Sequence, residues 1–277
     1  TLAIGVAVVL LFGRTMLGDA VLTLPVRRAR SENLVATRQN AAAWPRVWLV
    51  AHIDSKSQPI PSAARVAGVA LLMMALVLGA VASAVQLAGE PYRTIWWAAL
   101  TCGVMGAPPV IASVVGARSA GAVDNAAGVA AVLSAMVKVR RDVAVGVLLP
   151  SAEELGLAGA RAWARDARPG IALNCDGVDD RGDLTIMHRG RGQLPDELLR
   201  ALRAAAQAPL RVRRMPLGLL TDSVALSDRG WVAVTVSRGS LATLRRVHTP
   251  ADSLASLRGD GIDPVAALLA RTVEELA

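Results

Sequence analysis

Short apolar runs alternate with amphipathic segments along most of the chain. The apolar runs are typical of buried strands and occupy Arg46–Ala51, Val143–Leu149, Ile171–Cys175, Leu184–His188 and Trp231–Val236. The amphipathic segments have helical spacing and occupy Ala126–Val139, Leu155–Asp166, Pro195–Ala206 and Ile262–Leu276. Strands that alternate with helices predict an α/β domain, with a mixed but mostly parallel sheet and helices on both faces.

Two longer stretches, Val66–Gly89 and Thr94–Ala117, contain no charged residue. Each exceeds the roughly 20 apolar residues that a helix needs to cross a bilayer. A short polar connector joins them, and Tyr92, Trp96 and Trp97 suit the membrane interface. The pattern predicts an inserted transmembrane hairpin at residues 65–117. Two buried helices of a soluble core are the alternative, but such helices rarely lack charge over this length.

The opening run at residues 1–13, TLAIGVAVVLLFG, is also apolar. It has neither the basic start nor the cleavage site of a secretory signal, so we interpret it as the remnant of a truncated transmembrane helix. Hydrophobic residues make up 53% of the 277 residues. This content fits one sizeable domain accompanied by membrane segments.

The formal net charge is +8, which raises the question of an anionic partner. The cations do not form a patch interleaved with aromatic residues, so we expect no nucleic-acid partner. Many of them flank the apolar runs instead: Arg14, Arg27, Arg28, Arg30, Lys56, Arg65 and Arg118. This distribution predicts an integral protein of the cell membrane whose main domain lies on the cytoplasmic side. The two cysteines, Cys102 and Cys175, predict no disulfide framework.

Acidic and histidine residues follow three successive predicted strands. His52 and Asp54 follow the first, Glu153 and Glu154 the second, and Asp176 the third. Ligands of parallel α/β sheets bind beyond these carboxyl ends. Because residues two apart on a strand point the same way, the Asp54 carboxylate can hold His52 in one tautomer, as a metal-binding histidine requires.

Each of these residues also has an ordinary structural interpretation. Asp124 or Asn125 suits the N-cap of the helix that follows, and Ser151-x-x-Glu154 fits a capping box that leaves Glu153 without a function. Asp176 could belong to a turn, and His248 to the approach to a helix. Separate structural explanations at successive strand ends account for the pattern less well than one shared site. We interpret the remaining histidine, His188, as structural.

Together these side chains provide what a pair of zinc ions needs. Nitrogen and oxygen donors suit zinc, and the candidate ligands are His52, Asp124, Glu154, Asp176 and His248. One carboxylate between two cations offsets their repulsion. A second carboxylate that binds no metal must then take a proton from the metal-bound water. The adjacent Glu153 and Glu154 supply these two separate functions.

Five motifs carry a resemblance to a known family: AHID, GAVDNAAGVAAVL, LLPSAEELGLAGARAWA, LNCDG and VHTPADSL. In this order they resemble the di-zinc aminopeptidase superfamily, which includes bacterial leucyl aminopeptidases, glutamate carboxypeptidase and the glutaminyl cyclases. The resemblance runs from about Val47 to the C-terminus. It implies a zinc exopeptidase fold of the phosphorylase/hydrolase-like type, formed by residues 30–64 and 118–277.

The same resemblance implies a function for each site residue. Asp124 is expected to bridge two Zn²⁺ ions, and a cis peptide bond is expected after it. His52 and Asp176 would complete one ion, and Glu154 and His248 the other. Glu153 would be the general base, and Asp54 would orient His52.

Two features depart from the family pattern. The hairpin stands where relatives have a short loop, and Thr221-Asp222-Ser223 lacks a histidine that many relatives have after the aspartate. We expect a membrane-anchored, zinc-dependent aminopeptidase that acts on peptides. Alternatives are a glutaminyl cyclase with one zinc, a carboxypeptidase, or a catalytically silent scaffold, although no ligand or base is missing. The sequence carries no signal for residue specificity or oligomeric state.

Overall fold

The computed structural model describes residues 30–38, 44–89, 92–189, 194–216 and 219–277. The predicted helix remnant at residues 1–13 lies outside this range. The described residues form two compact units. Residues 57–116 belong to one, called the hairpin unit here, and the described parts of 27–56 and 117–277 belong to the other, the sheet unit.

The sheet unit is built on a mixed seven-stranded sheet in the order β1-β3-β2-β4-β7-β5-β6. The strands are β1 (Leu34–Arg38), β2 (Val47–Val50), β3 (Val145–Leu149), β4 (Ile171–Val178), β5 (Asp183–His188), β6 (Arg211–Arg214) and β7 (Val232–Gly239). The four central strands, β3, β2, β4 and β7, are parallel to one another. Strand β1 pairs antiparallel with β3, and β5 pairs antiparallel with β7.

Helices cover both faces of this sheet, which confirms the predicted fold class. The helices of the sheet unit are α3 (Ala127–Lys138), α4 (Ala158–Asp166), α5 (Asp196–Ala205), α6 (Asp222–Ser227), α7 (Leu241–Arg246) and α8 (Ile262–Glu275). Alternate residues of β2 point to opposite faces. Val47 and Leu49 pack with α3, α5 and α8, whereas Trp48 and Val50 pack with α4 and α6.

Four tryptophans stabilise the second face. The ring of Trp48 lies 4.9 Å from Trp44 and 4.8 Å from Trp163, and Trp163 lies 5.1 Å from Trp231, measured between ring centroids. Each such pair contributes about 0.5–1.5 kcal/mol beyond the area it buries. Gly146 of the neighbouring strand makes room for them, because a Cβ atom there would lie 2.4 Å from the Trp48 ring.

The hairpin unit consists of two apolar helices, α1 (Ser62–Leu87) and α2 (Arg93–Ile111). Both are long and apolar enough to cross a membrane, with mean hydropathies of 2.4 and 1.3 in their most apolar windows. They pack closely at two glycines, because a Cβ atom on Gly106 would lie 2.7 Å from the carbonyl oxygen of Gly68. At the base of the hairpin, Ser57 and Gly116 exchange two backbone hydrogen bonds of 2.8 Å.

The sequence pattern missed four elements of the sheet unit. Strands β1 and β6 lie at the two edges of the sheet and are almost fully exposed, so they carry no alternating apolar pattern. Helices α6 and α7 have six residues each, which is too short for a helical period to show.

Candidate metal centre

The carboxyl ends of the neighbouring strands β3, β2 and β4 form the floor of the candidate site. His52 comes two residues after β2, Glu153 and Glu154 follow β3, and Asp176 lies near the end of β4. Asp124 comes from the turn Ala122–Ala126 directly before α3, and its own backbone angles are not helical. His248 comes from the loop after α7, where its φ angle is 64°. The structure thus brings together all of the side chains that the sequence assigns to metal binding.

Asp124 lies between the two histidines. Its Oδ1 atom is 3.1 Å from Nε2 of His52, and its Oδ2 atom is 3.0 Å from Nε2 of His248. Each carboxylate oxygen therefore faces a different imidazole, which is the orientation that a carboxylate shared by two cations requires.

A further carboxylate lies beside each histidine. Asp176 Oδ1 is 3.8 Å from His52 Nε2, and Glu154 Oε1 is 3.0 Å from His248 Nε2. The potential ligand atoms form two groups, and within each group all of these atoms lie within 4.8 Å of one another. One group comes from His52, Glu153 and Asp176, and the other from Asp124, Glu154 and His248. Imidazole nitrogens with carboxylate oxygens are a donor set that fits zinc, so the residues present are compatible with a zinc pair.

Asp54 contacts both His52 and the two glutamates. The nearest partner of His52 Nδ1 is the backbone carbonyl of Asp54 at 3.0 Å, with the carboxylate at 3.7 Å. The two carboxylate oxygens accept hydrogen bonds from the backbone N–H groups of Glu153 (3.0 Å) and Glu154 (3.1 Å). Asp54 thereby fixes the turn that carries both glutamates.

The capping-box interpretation of Ser151-x-x-Glu154 is wrong. The next helix, α4, begins only at Ala158, and no side chain caps it. Of the two N–H groups that this capping box would satisfy, that of Glu154 is bound by the carboxylate of Asp54 and that of Ser151 by the side-chain oxygen of Asn33, both far away in the sequence.

Asp252 holds the Asp124 turn in the same way. Its buried carboxylate accepts the N–H groups of Val123 at 2.7 Å and Asp124 at 3.3 Å. The side chain of Asn125 donates to the backbone carbonyl of Cys175 at 2.9 Å. The N-cap interpretation of Asp124 and Asn125 is therefore wrong, since helix α3 begins without a side-chain cap. The Asp124–Asn125 peptide bond is cis, as the family resemblance implies.

Opposite charges shift the pKa values of the central groups. Burial opposes ionisation of Asp124, but hydrogen bonds from His248 and His52 hold its pKa well below the usual range. Burial likewise opposes protonation of His248, but Asp124 and Glu154 raise its pKa to about 9. The site is therefore arranged for strong positive charge beside Asp124 and Glu154.

Glu153 has the opposite electrostatic environment. It is almost fully buried, and burial raises its pKa well above the usual value. Nearby His52 opposes this shift, whereas repulsion from Asp176, Asp222 and Asp124 adds to it. A carboxylate whose pKa is raised is a stronger base than an ordinary one and is suited to accept a proton.

Sequence reasoning missed the part played by two residues. The sequence pattern places Lys56 only among the membrane-flanking cations, yet its Nζ atom lies 2.6 Å from Glu154 Oε2. Asp222 is fully buried, and the pKa of its carboxyl is raised to about 7 by burial and by repulsion from Asp176, Asp54 and Glu154, against the effect of His52. In the sequence, the Thr221-Asp222-Ser223 motif is notable only for the histidine that it lacks, and nothing in it indicates that Asp222 is buried near the site.

Ser223 occupies the position of that missing histidine. Its hydroxyl lies 2.7 Å from Thr235 Oγ1 and 3.0 Å from Thr221 Oγ1, in a buried hydroxyl cluster. His188, interpreted as structural, lies at the end of β5, outside both ligand groups.

The fold of this chain is shared by solved structures of other proteins. Structures with the same fold include an aminopeptidase from Aneurinibacillus sp. strain AM-1, 18% identical with a TM-score of 0.57, over 88% of this chain and 48% of that one. Another is the zinc aminopeptidase BSAP from Bacillus subtilis, 17% identical with a TM-score of 0.56, over 88% of this chain and 49% of that one. The chain thus spans about half the length of these two proteins.

A leucine aminopeptidase precursor from Bacteroides thetaiotaomicron is 12% identical with a TM-score of 0.56, over 92% of this chain and 79% of that one. Among curated protein sequences, none matches the chain. The sequence profile described as "Peptidase family M28" matches residues 33–273, which is most of the chain. This match confirms the resemblance to the di-zinc aminopeptidase superfamily, and the chain belongs to peptidase family M28.

Proposed function

We propose that the chain is a membrane-anchored, zinc-dependent exopeptidase that removes N-terminal residues from peptides. The observation that carries the proposal is the position of Asp124, whose two oxygens lie 3.1 and 3.0 Å from two different histidines. A carboxylate in this position serves two cations at once. A further carboxylate lies beside each histidine, Asp176 next to His52 and Glu154 next to His248, and this favours two ions over the single zinc of a cyclase.

In this proposal His52 and Asp176 hold one zinc, Glu154 and His248 hold the other, and Asp124 is shared. Zinc at these positions supplies a Lewis acid that polarises the scissile carbonyl and lowers the pKa of a bound water. The protein's contribution is to hold five ligands in place and to keep charged partners around them.

Glu153 is the proposed general base. It accepts a proton from the attacking water and returns it to the leaving amine, and the raised pKa of its carboxyl favours acceptance of the proton. Asp54 positions Glu153 through the backbone N–H at 3.0 Å. The adjacent glutamates thus have different neighbours, since Glu154 faces His248 whereas Glu153 lies near His52 and Asp176.

The hairpin unit is the proposed membrane anchor. The stretches Val66–Gly89 and Thr94–Ala117, which contain most of α1 and α2, have no charged residue. Most of the large apolar side chains of the two helices are exposed. Basic residues Lys56, Arg65 and Arg118 flank the hairpin on the side where the chain enters and leaves it. This distribution supports a cytoplasmic peptidase domain at the cell membrane.

The decisive experiment combines metal analysis with a substrate panel. The full chain in detergent is expected to bind about two zinc ions and to hydrolyse aminoacyl anilides. N-acetylated anilides, C-terminal carboxypeptidase substrates and Gln-initiated peptides should react much more slowly. Activity only on the last two classes would replace the aminopeptidase proposal with a carboxypeptidase or a cyclase.

Variants of the two glutamates test their separate functions. Glu153→Gln should lower kcat by about 10²- to 10⁴-fold, the range for a general base, while zinc stays bound. Glu154→Gln should instead lower zinc affinity. Near-wild-type turnover by Glu153→Gln would contradict the assignment of the base.

A further inference from the structure

Lysine is rare in this chain, and its placement is selective. Only two of the 30 basic side chains are lysines, Lys56 and Lys138. Lys138 lies on α3, with its Nζ atom 3.4 Å from Asp263, and both side chains of this pair are well exposed. Lys56 instead lies two residues after Asp54, in contact with the candidate metal centre.

The contact of Lys56 is with one oxygen of one candidate ligand. Its Nζ atom lies 2.6 Å from Oε2 of Glu154, whose side chain is 5% exposed against 17% for that of Lys56. The other oxygen of Glu154, Oε1, lies 3.0 Å from His248. The two oxygens of Glu154 therefore face a lysine on one side and a candidate metal ligand on the other.

The position of Glu154 does not depend on this lysine alone. Its backbone N–H is held by the carboxylate of Asp54 at 3.1 Å, and His248 contacts Oε1. The distinct contribution of Lys56 is therefore a positive charge that is partly shielded from water, where charges interact more strongly than at an exposed surface.

We propose that Lys56 is a resident counter-cation that makes the two zinc sites unequal. The inference rests on the proposed two-zinc centre. The ammonium group balances Glu154 when the ion of Glu154 and His248 is absent, and it repels that ion when it binds. The ion held by Glu154 and His248 is consequently the weaker and more readily exchanged one, so the second site fills according to zinc supply.

A lysine suits this function better than an arginine. Its compact charge sits on a flexible four-carbon stem that can withdraw as a cation approaches, whereas the planar guanidinium would bind the carboxylate through two parallel hydrogen bonds. This preference accounts for a lysine at position 56 in a chain that otherwise uses arginine.

The test is zinc affinity rather than turnover. The full chain in detergent is stripped with a chelator and titrated with Zn²⁺ against a chromophoric chelator, which gives two stepwise Kd values. Lys56→Met should lower the larger Kd by about 10- to 100-fold, comparable to the effect of one nearby charge on an ionisable group, and change the smaller Kd much less. Lys56→Arg keeps the charge and should leave the larger Kd closer to wild type.

Lys138→Met is the matched control, because it removes the other lysine and an exposed ion pair that contributes little. Both of its Kd values should equal those of the wild type. An unchanged or increased larger Kd in Lys56→Met would overturn the inference, as would equal tightening by Lys56→Arg and Lys56→Met. If Lys56→Met does not fold, Lys56→Gln gives the same neutral comparison. Failure of the wild type to bind zinc would instead refute the proposed function itself.

Discussion

The two units of the chain use apolar residues in opposite ways. In the sheet unit the central strands are buried on both faces, and Trp48 and Leu49 are inaccessible to solvent. In the hairpin unit, side chains such as Val77 and Met105 are 56% and 62% exposed. The sheet unit in turn buries charged groups, including Asp124 and Glu153, whereas the hairpin helices have almost none.

If the hairpin is the proposed membrane anchor, the high apolar content of the chain serves two environments. An apolar exterior is stable where hydrocarbon surrounds it, and a charged interior is stable where opposite charges balance it. Each unit should therefore respond to a perturbation that leaves the other unaffected.

Removal of zinc should have the largest effect, confined to the sheet unit. A ligand that binds only the folded state at about 1,000 times its Kd adds about 4 kcal/mol to the free energy of unfolding. Chelation should therefore lower the urea midpoint of the tryptophan signal from the sheet unit in detergent. A control with Glu154→Gln should show a smaller zinc effect. An identical midpoint with and without zinc would contradict a buried metal centre.

The same Val→Arg substitution should have a larger energetic cost in the hairpin unit than in the sheet unit, and this difference should be smaller than the effect of zinc removal. Val77→Arg places a charge near the middle of α1, which costs about 2.5–3.5 kcal/mol in membrane insertion. Val137→Arg on α3, where the valine is 81% exposed, should change stability by less than about 0.5 kcal/mol. The fraction of protein that resists alkaline extraction from membranes measures the first effect, and urea unfolding measures the second. Equal behaviour of both variants would argue against a bilayer environment for α1.

Gly→Ala substitutions in the two units should give the smallest difference in stability. Gly146→Ala brings a Cβ atom to 2.4 Å from the Trp48 ring, and overpacking of this kind costs about 1–3 kcal/mol. Gly79→Ala on α1 meets no atom within 4 Å and should be neutral or slightly stabilising. Urea unfolding of both variants measures the difference. Similar stabilities would mean that the tryptophan cluster adapts to the added methyl group.

The interior of the sheet could be predicted from the sequence because its strands are buried on both faces. Val145–Leu149 therefore contains no polar side chain, and Ile171–Val178 is apolar up to Leu173, before Asn174 and Asp176. The edge strands could not be predicted in this way. Arg211–Arg214 is held in the sheet by backbone pairing with β5 rather than by side-chain burial, and its sequence is mostly arginine.

The candidate site could be predicted because strands β3, β2 and β4 are neighbours, so the residues after them converge. The contacts that position these residues could not. Asp54 binds the N–H of Glu154 across a separation of 100 residues, and Lys56 contacts the same glutamate from the same loop. Such partners depend on tertiary structure, and a local pattern such as a capping box offers a competing explanation for the same residues.

His52 and Asp124 are 72 residues apart in the sequence, and the long insertion between them is held together at its base by the backbone pairing of Ser57 with Gly116. This pairing affects the entropy that is lost when the two ligands come together. The entropy lost on closing a flexible loop increases with the logarithm of its length. Because Ser57 and Gly116 are hydrogen-bonded to each other, the segment that remains to be closed is only the few residues on either side of them. The entropy lost on closing the long insertion must then be offset by the packing of the hairpin itself, and the ligand loops close as a short segment would.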